Sequence, residues 1–155
     1  MLSGRTPAMY GEIVIDTNCV LDLWVFHDPA VDALRAALTT GRLRWIATPP
    51  MREELARVLA YPRIATRLGR PGPTRDAVLA AFDEWVVPVD VPVPASVRCR
   101  DPDDQGFIDL AVARRALLLS KDARVTGLAR RLAPLGVHVL RRWPVVSPAK
   151  ADKPA

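Results

Sequence analysis

The chain predicts an α/β domain, a central and mostly parallel β-sheet covered by helices on both faces. Short apolar runs, "IVI", "LRWIA", "LLLS" and "VHVL", have the length and continuity of strands buried on both sides. Between them lie segments with apolar residues at helical spacing, so strands and helices alternate along the chain. At 155 residues there is room for one domain with a real core and not for two comfortable ones.

The elements follow in order. Residues 1–11, "MLSGRTPAMYG", read as a disordered extension, the domain occupies 12–141, and 142–155 form a frayed tail. Ile13-Val14-Ile15 is the first strand and ends in Asp16. A helix over 28–38 starts with Asp28 as N-cap and Pro29 in its first turn. Gly41 stops it, and "LRWIA" follows as a strand. "MREELARVLA" (51–60) is a helix opened by the prolines before it, and a short helix runs from Pro62 to Leu68. "GRPGPT" is a loop. "RDAVLAAFDEW" (75–85) is an amphipathic helix. The prolines of "VVPVDVPVP" confine it to a sheet edge or a polyproline stretch. Residues 103–116 form a largely buried helix, "LLLS" a strand, "ARVTGLARRLAPLG" a helix ended by Pro134 and Gly136, and "VHVL" the last strand.

The net charge is +5 and the sequence pI about 9.9. Arginine supplies nearly all of the positive charge, which suits bidentate contact with phosphate or carboxylate. An arginine bias inherited from a GC-rich genome explains the same numbers equally well. No apolar run reaches the ~20 residues of a membrane helix, and the N-terminus lacks the apolar centre of an export signal. Cys19 and Cys99 make no metal-ligand spacing, so a reducing cytoplasm is the default location.

In sheets of this kind the working site lies beyond the carboxyl ends of the strands. Asp16 ends the first strand there, and Asp122 follows "LLLS" at an equivalent place. On the helix 51–60 the apolar residues Met51, Leu55, Val58 and Leu59 set the buried face. Glu54 falls about 85° from its centre, whereas Glu53 lies opposite it. Asp101, Asp103 and Asp104 crowd one helix start, where a single carboxylate would suffice as a cap. Asp104 shares a face with Phe107, Ile108 and Ala111, and Asp109 falls elsewhere, solvated or paired with arginine. "DPDDQG" resembles the start of a calcium loop, but Val112 stands where the bidentate Glu is needed.

If Asp16, Glu54, Asp104 and Asp122 meet, each pair about 4 Å apart repels by about 4 kcal/mol at an effective dielectric near 20. Protons or a cation must then compensate. An all-oxygen ligand set selects a hard ion such as Mg²⁺ or Mn²⁺, the standard means of activating water against a phosphodiester. Asn18 and Ser120 can orient a carboxylate or a bound water. His27 and His138 belong to no nucleophile motif, and no Gly-rich phosphate loop, G-x-S-x-G or zinc set occurs. A receiver domain would need an aspartate near position 50, where the chain reads "IATPP". A D-x-D phosphatase would need a second aspartate where Asn18 stands.

"IVIDTN", "EELARVL", "DPDDQGFIDLAVA" and "LLLSKD", in that order, resemble the PIN domain, particularly its branch of toxin components of toxin–antitoxin pairs. The resemblance covers roughly 12–141. It implies a three-layer α/β/α fold and a Mg²⁺- or Mn²⁺-dependent ribonuclease, often dimeric and held inactive by a cognate antitoxin. It places the family's acidic quartet on Asp16, Glu54, Asp104 and Asp122, with Asn18 as the polar partner. Lys121 stands where relatives carry glycine, and Gln105 where they carry an acid.

The resulting expectation is an endoribonuclease of single-stranded RNA. Asp16, Asp104 and Asp122 hold metal, Glu54 holds a metal water or a second ion, and Arg57 and Arg124 grip phosphates. The alternative is a PIN-like domain that binds RNA or protein without cutting, for which Lys121 beside the metal site is the sequence support.

Overall fold

The computed structural model describes residues 11–26, 29–68 and 73–143. Asp28 and His27, most of "GRPGPT", residues 1–10 and the tail from 144 lie outside them. Five strands form one sheet. They are β1 Gly11–Ile15, β2 Leu43–Ala47, β3 Val86–Pro88, β4 Leu117–Leu119 and β5 His138–Leu140, in the order β3-β2-β1-β4-β5 with every pairing parallel. The proline-bearing β3 takes an edge, as a residue without an N–H donor requires.

The helices are α1 Thr17–Trp24, α2 Asp32–Thr39, α3 Pro49–Leu59, α4 Pro62–Ala65, α5 Arg75–Trp85, α6 Pro102–Arg114, α7 Ala123–Thr126 and α8 Ala129–Leu132. Strand order runs one way from β1 to β3 and the other way from β4 to β5. Right-handed crossovers therefore put α1–α5 on one face and α6–α8 on the other, the three-layer arrangement expected. The reversal falls between β1 and β4, so the crevice beyond their carboxyl ends is the natural site.

The structure differs from the sequence reading in several places. Helix α1 is absent from the sequence reading, because its eight residues follow β1 across Asp16 alone, with no Gly or Pro to mark the boundary between strand and helix. Gly11 belongs to β1 rather than to the extension, and Trp143 packs against the core instead of fraying. The helix expected after Asp122 is two short ones, α7 and α8, broken at Gly127, where a Cβ would stand 2.9 Å from the Ala123 carbonyl oxygen.

The core is the strands themselves. Ile13, Val14, Ile46 and Leu118 are fully buried, and Trp45 meets Phe82 edge-on, ring centroids 5.2 Å apart. Two bidentate ion pairs hold the site-bearing helices to their neighbours. Arg52 on α3 grips Asp83 on α5 at 2.7 and 2.8 Å, and Arg114 on α6 grips Glu12 on β1 at 2.9 and 2.6 Å.

Candidate metal centre

Register brings the first two groups together. Ile15 lies beside Leu119, and the Asp16 amide donates to the Leu119 carbonyl at 3.0 Å, so Asp16 and Ser120 emerge side by side. Both are buried. The Ser120 hydroxyl donates to Asp16 Oδ2 at 2.5 Å and accepts from the Asp122 amide at 3.1 Å. One hydroxyl thus ties the ends of β1 and β4 to the start of α7.

Three of the carboxylates are helix N-caps. Asp16 Oδ1 accepts from the Asn18 and Cys19 amides at 2.9 and 3.3 Å, so Asn18 contributes its backbone here. Asp101 caps α6 through the Asp103 amide at 2.9 Å, and Asp122 caps α7 through the Arg124 amide at 2.8 Å. The N-termini of three helices meet at one edge, and their partial positive charge lowers the cost of gathering negative charge there.

Asp101, Asp104 and Asp122 each place a carboxylate oxygen within 4.8 Å of the other two. Asp104 Oδ2 is buried and has no hydrogen-bond partner among the described residues. Burial first, then the hydrogen bond and charge shared with Asp122, push the Asp104 carboxyl up to about 7. The Arg124 amide holds Asp122 below the usual carboxylate range. Asp16 is pushed up chiefly by burial, with a smaller contribution from Asp122. Such a trio, with one oxygen buried and unused, fits a hard divalent cation through oxygen ligands alone.

Glu54 is half-buried beside Thr17, and burial followed by the charge of Asp103 raises its pKa. Asp16 is a further raising influence. Glu53 is exposed, as the wheel required. Glu54 and Arg57 line a cavity of about 250 Å³ with Thr48, Met51, Asp103 and Phe107. Arg124 faces the acids themselves, 3.3 Å from Asp101 and 3.4 Å from Asp122. Lys121 pairs with Asp22 on α1.

The sequence reading gives Asp101 no role beyond capping. The signal is nevertheless present in "DPDD", since residues three apart in a first turn face the same way. Asp109 is paired with arginine, one of the two readings of the sequence, and is also a hydrogen-bond acceptor. It accepts from the Ala95 amide and Gln105 Nε2, both at 2.8 Å, and Arg98 stands 3.9 Å away. Gln105, where relatives carry an acid, is a clamp. Its Oε1 accepts from the Cys99 amide at 2.6 Å and its Nε2 also donates to the Val97 carbonyl at 3.0 Å, fastening the 95–99 segment to α6. Cys19 and Cys99 are both free, and burial raises the Cys19 thiol far out of reactive range.

No helix among the described residues is long and apolar enough to cross a membrane. No curated protein matches the chain. The PIN domain family matches residues 12–124, most of the chain and all of the carboxylates above. PIN domains are generally metal-dependent nucleases, and the clustered aspartates at this sheet edge can hold a metal ion. By fold, by the position of its acidic cluster and by this match, the chain belongs to the PIN domain family.

Proposed function

We propose that the protein is a Mg²⁺- or Mn²⁺-dependent endoribonuclease acting on single-stranded RNA. The observation that carries this reading is the trio Asp101, Asp104 and Asp122, with the buried, unpartnered Oδ2 of Asp104. Asp16, Asp104 and Asp122 hold the ion, and Asp101 joins them. Asp16 Oδ2 keeps a lone pair beyond the one used by Ser120.

The ion, when bound, supplies a water acidic enough to attack phosphorus near neutral pH. The rest falls to the chain. Ser120 orients Asp16 and fixes the start of α7, while Glu54 holds the attacking water by hydrogen bond. Arg57 and Arg124 flank the carboxylates and steady the phosphate in line. With such an ion bound, the water oxygen would form its bond to phosphorus as the bond to the leaving ribose oxygen breaks, and the water's proton would be handed on to that oxygen.

The resemblance to toxin components extends the proposal to a toxin restrained by an antitoxin, working as a homodimer in the cytoplasm. Growth arrest on expression, relieved by a neighbouring small gene product, tests the toxin role, and sedimentation tests the dimer. A second reading, an RNA- or protein-binding module that does not cut, is favoured by Arg124, whose guanidinium spans Asp101 and Asp122 where an ion would compete with it. The ion pair of Lys121 with Asp22 removes part of the sequence support for that reading.

Cleavage of a mixed RNA pool with Mn²⁺ separates the two. Cutting abolished by Asp16→Asn and by EDTA supports the nuclease. Absence of both cutting and Mn²⁺ binding by titration calorimetry removes it.

A further inference from the structure

We propose that a groove beside the carboxylate cluster, walled by Arg98, Arg100, Arg124 and Arg131, is the track for the phosphate backbone of single-stranded RNA. This rests on the RNA reading above and names the surface that would hold the strand. The groove measures about 450 Å³, and Ala123, Gly127 and Leu128 complete it. All four arginines are exposed. Arg124 is paired with Asp101 and Asp122, and Arg98 reaches Asp109 only at 3.9 Å. Arg100 and Arg131 make no ion pair among the described residues.

Phosphates laid in the groove would supply the acidic partner that Arg100 and Arg131 lack among the described residues. The lining carries no aromatic ring for bases to stack on, so the grip is chiefly to the backbone. Small residues at Ala123 and Gly127 leave room for a chain to lie close. Because Arg124 belongs both to this groove and to the acidic cluster, a strand in the groove runs directly onto the carboxylates. The cavity with Glu54 and Arg57 receives it on another side.

The test is fluorescence anisotropy with a labelled oligouridylate of about twelve nucleotides in EDTA, where metal-dependent cutting cannot occur. Wild type is compared with Arg98→Ala/Arg100→Ala/Arg131→Ala and with Arg42→Ala/Arg63→Ala/Arg75→Ala. The control removes the same charge from exposed positions elsewhere, and circular dichroism verifies both folds. Expected is a loss of about tenfold or more in the groove variant. Its salt slope should flatten by roughly 2, at about 0.7 for each phosphate no longer neutralised. The control should change less than threefold.

Equal behaviour of the two variants overturns the proposal, as does wild type that binds no RNA. Tighter binding of polyglutamate than of RNA, lost in the groove variant, overturns it in favour of an acidic protein partner. Groove-dependent binding with neither Mn²⁺-dependent cutting of an RNA pool nor Mn²⁺ binding would instead refute the nuclease and leave the track standing. Unaltered binding with intact metal-dependent cutting would refute the track alone.

Discussion

Replacing Asp104 by asparagine should stabilise the metal-free protein and deprive it of its metal. Asparagine has the same shape, removes the charge and keeps a donor to offer Asp122. A carboxyl whose folded-state pKa rises from 3.8 to about 7 disfavours folding once ionised. The cost is absent below the unfolded value, grows as pH rises through the interval and is complete above about 7. At about 1.4 kcal/mol per pH unit the interval corresponds to about 4 kcal/mol as a ceiling. Asp104 is only partly buried, so solvent screening reduces this to about 1–2 kcal/mol.

Urea denaturation in EDTA should therefore find Asp104→Asn more stable by that amount at pH 8. The gain should shrink by about half near pH 5.5, midway through the interval. Saturating Mn²⁺ should reverse the order, because only wild type gains binding energy from the ion. An asparagine variant that is less stable than wild type in EDTA at pH 8 would refute the account of Asp104 as a carboxylate held ready for a cation.

Gln105→Glu keeps the acceptor for the Cys99 amide but turns a carboxylate toward the Val97 carbonyl and Asp109. A loss of about 2–4 kcal/mol in chemical denaturation is expected, and a loss under about 0.5 would contradict the clamp. Ser120→Ala removes the donor to Asp16 and the acceptor for the Asp122 amide. It should cost about 1–3 kcal/mol of stability and about tenfold in Mn²⁺ affinity by calorimetry. Arg124→Ala takes a cation away from Asp101 and Asp122, so Mn²⁺ should bind several-fold tighter at low ionic strength. The advantage should fade in high salt; equal affinity at low salt would mean that Arg124 does not compete. Gly106→Ala adds a Cβ that meets no atom within 4 Å on an exposed helical position. It should raise stability by about 0.5–1 kcal/mol, and a fall in thermal midpoint would show that this view of the helix is wrong.

Much of the architecture is readable locally because local chemistry dictates it. Short continuous apolar runs bounded by turn signals have the length and composition of strands buried on both faces. The proline of "VVPV" excludes β3 from the interior, and the period of α3 is enough to turn Glu54 toward the sheet edge and Glu53 away. By the same logic Asp16, at the end of a buried strand, has to stand at the carboxyl edge. Helix α1 escapes such a reading because it is only eight residues long and follows β1 with no Gly or Pro between them, and the break at Gly127 does so because helical spacing survives across a glycine.

The composition of the acidic cluster is a different matter. Asp101 and Asp122 are distant in sequence and approach only because α6 crosses to β4 and α7 starts where β4 ends. The side of Asp122 on which Arg124 lies, the pairing of Lys121 with Asp22 and the use of Gln105 as a clamp depend on which long side chain reaches which partner. Several residues compete for each of those contacts at similar local energy. Sequence alone therefore determined the mostly parallel sheet, the exclusion of the proline-bearing segment from its centre and the edge at which carboxylates gather. Only the tertiary structure decided which of them share a site and which arginines face it, since those choices are made by packing between elements far apart in the chain.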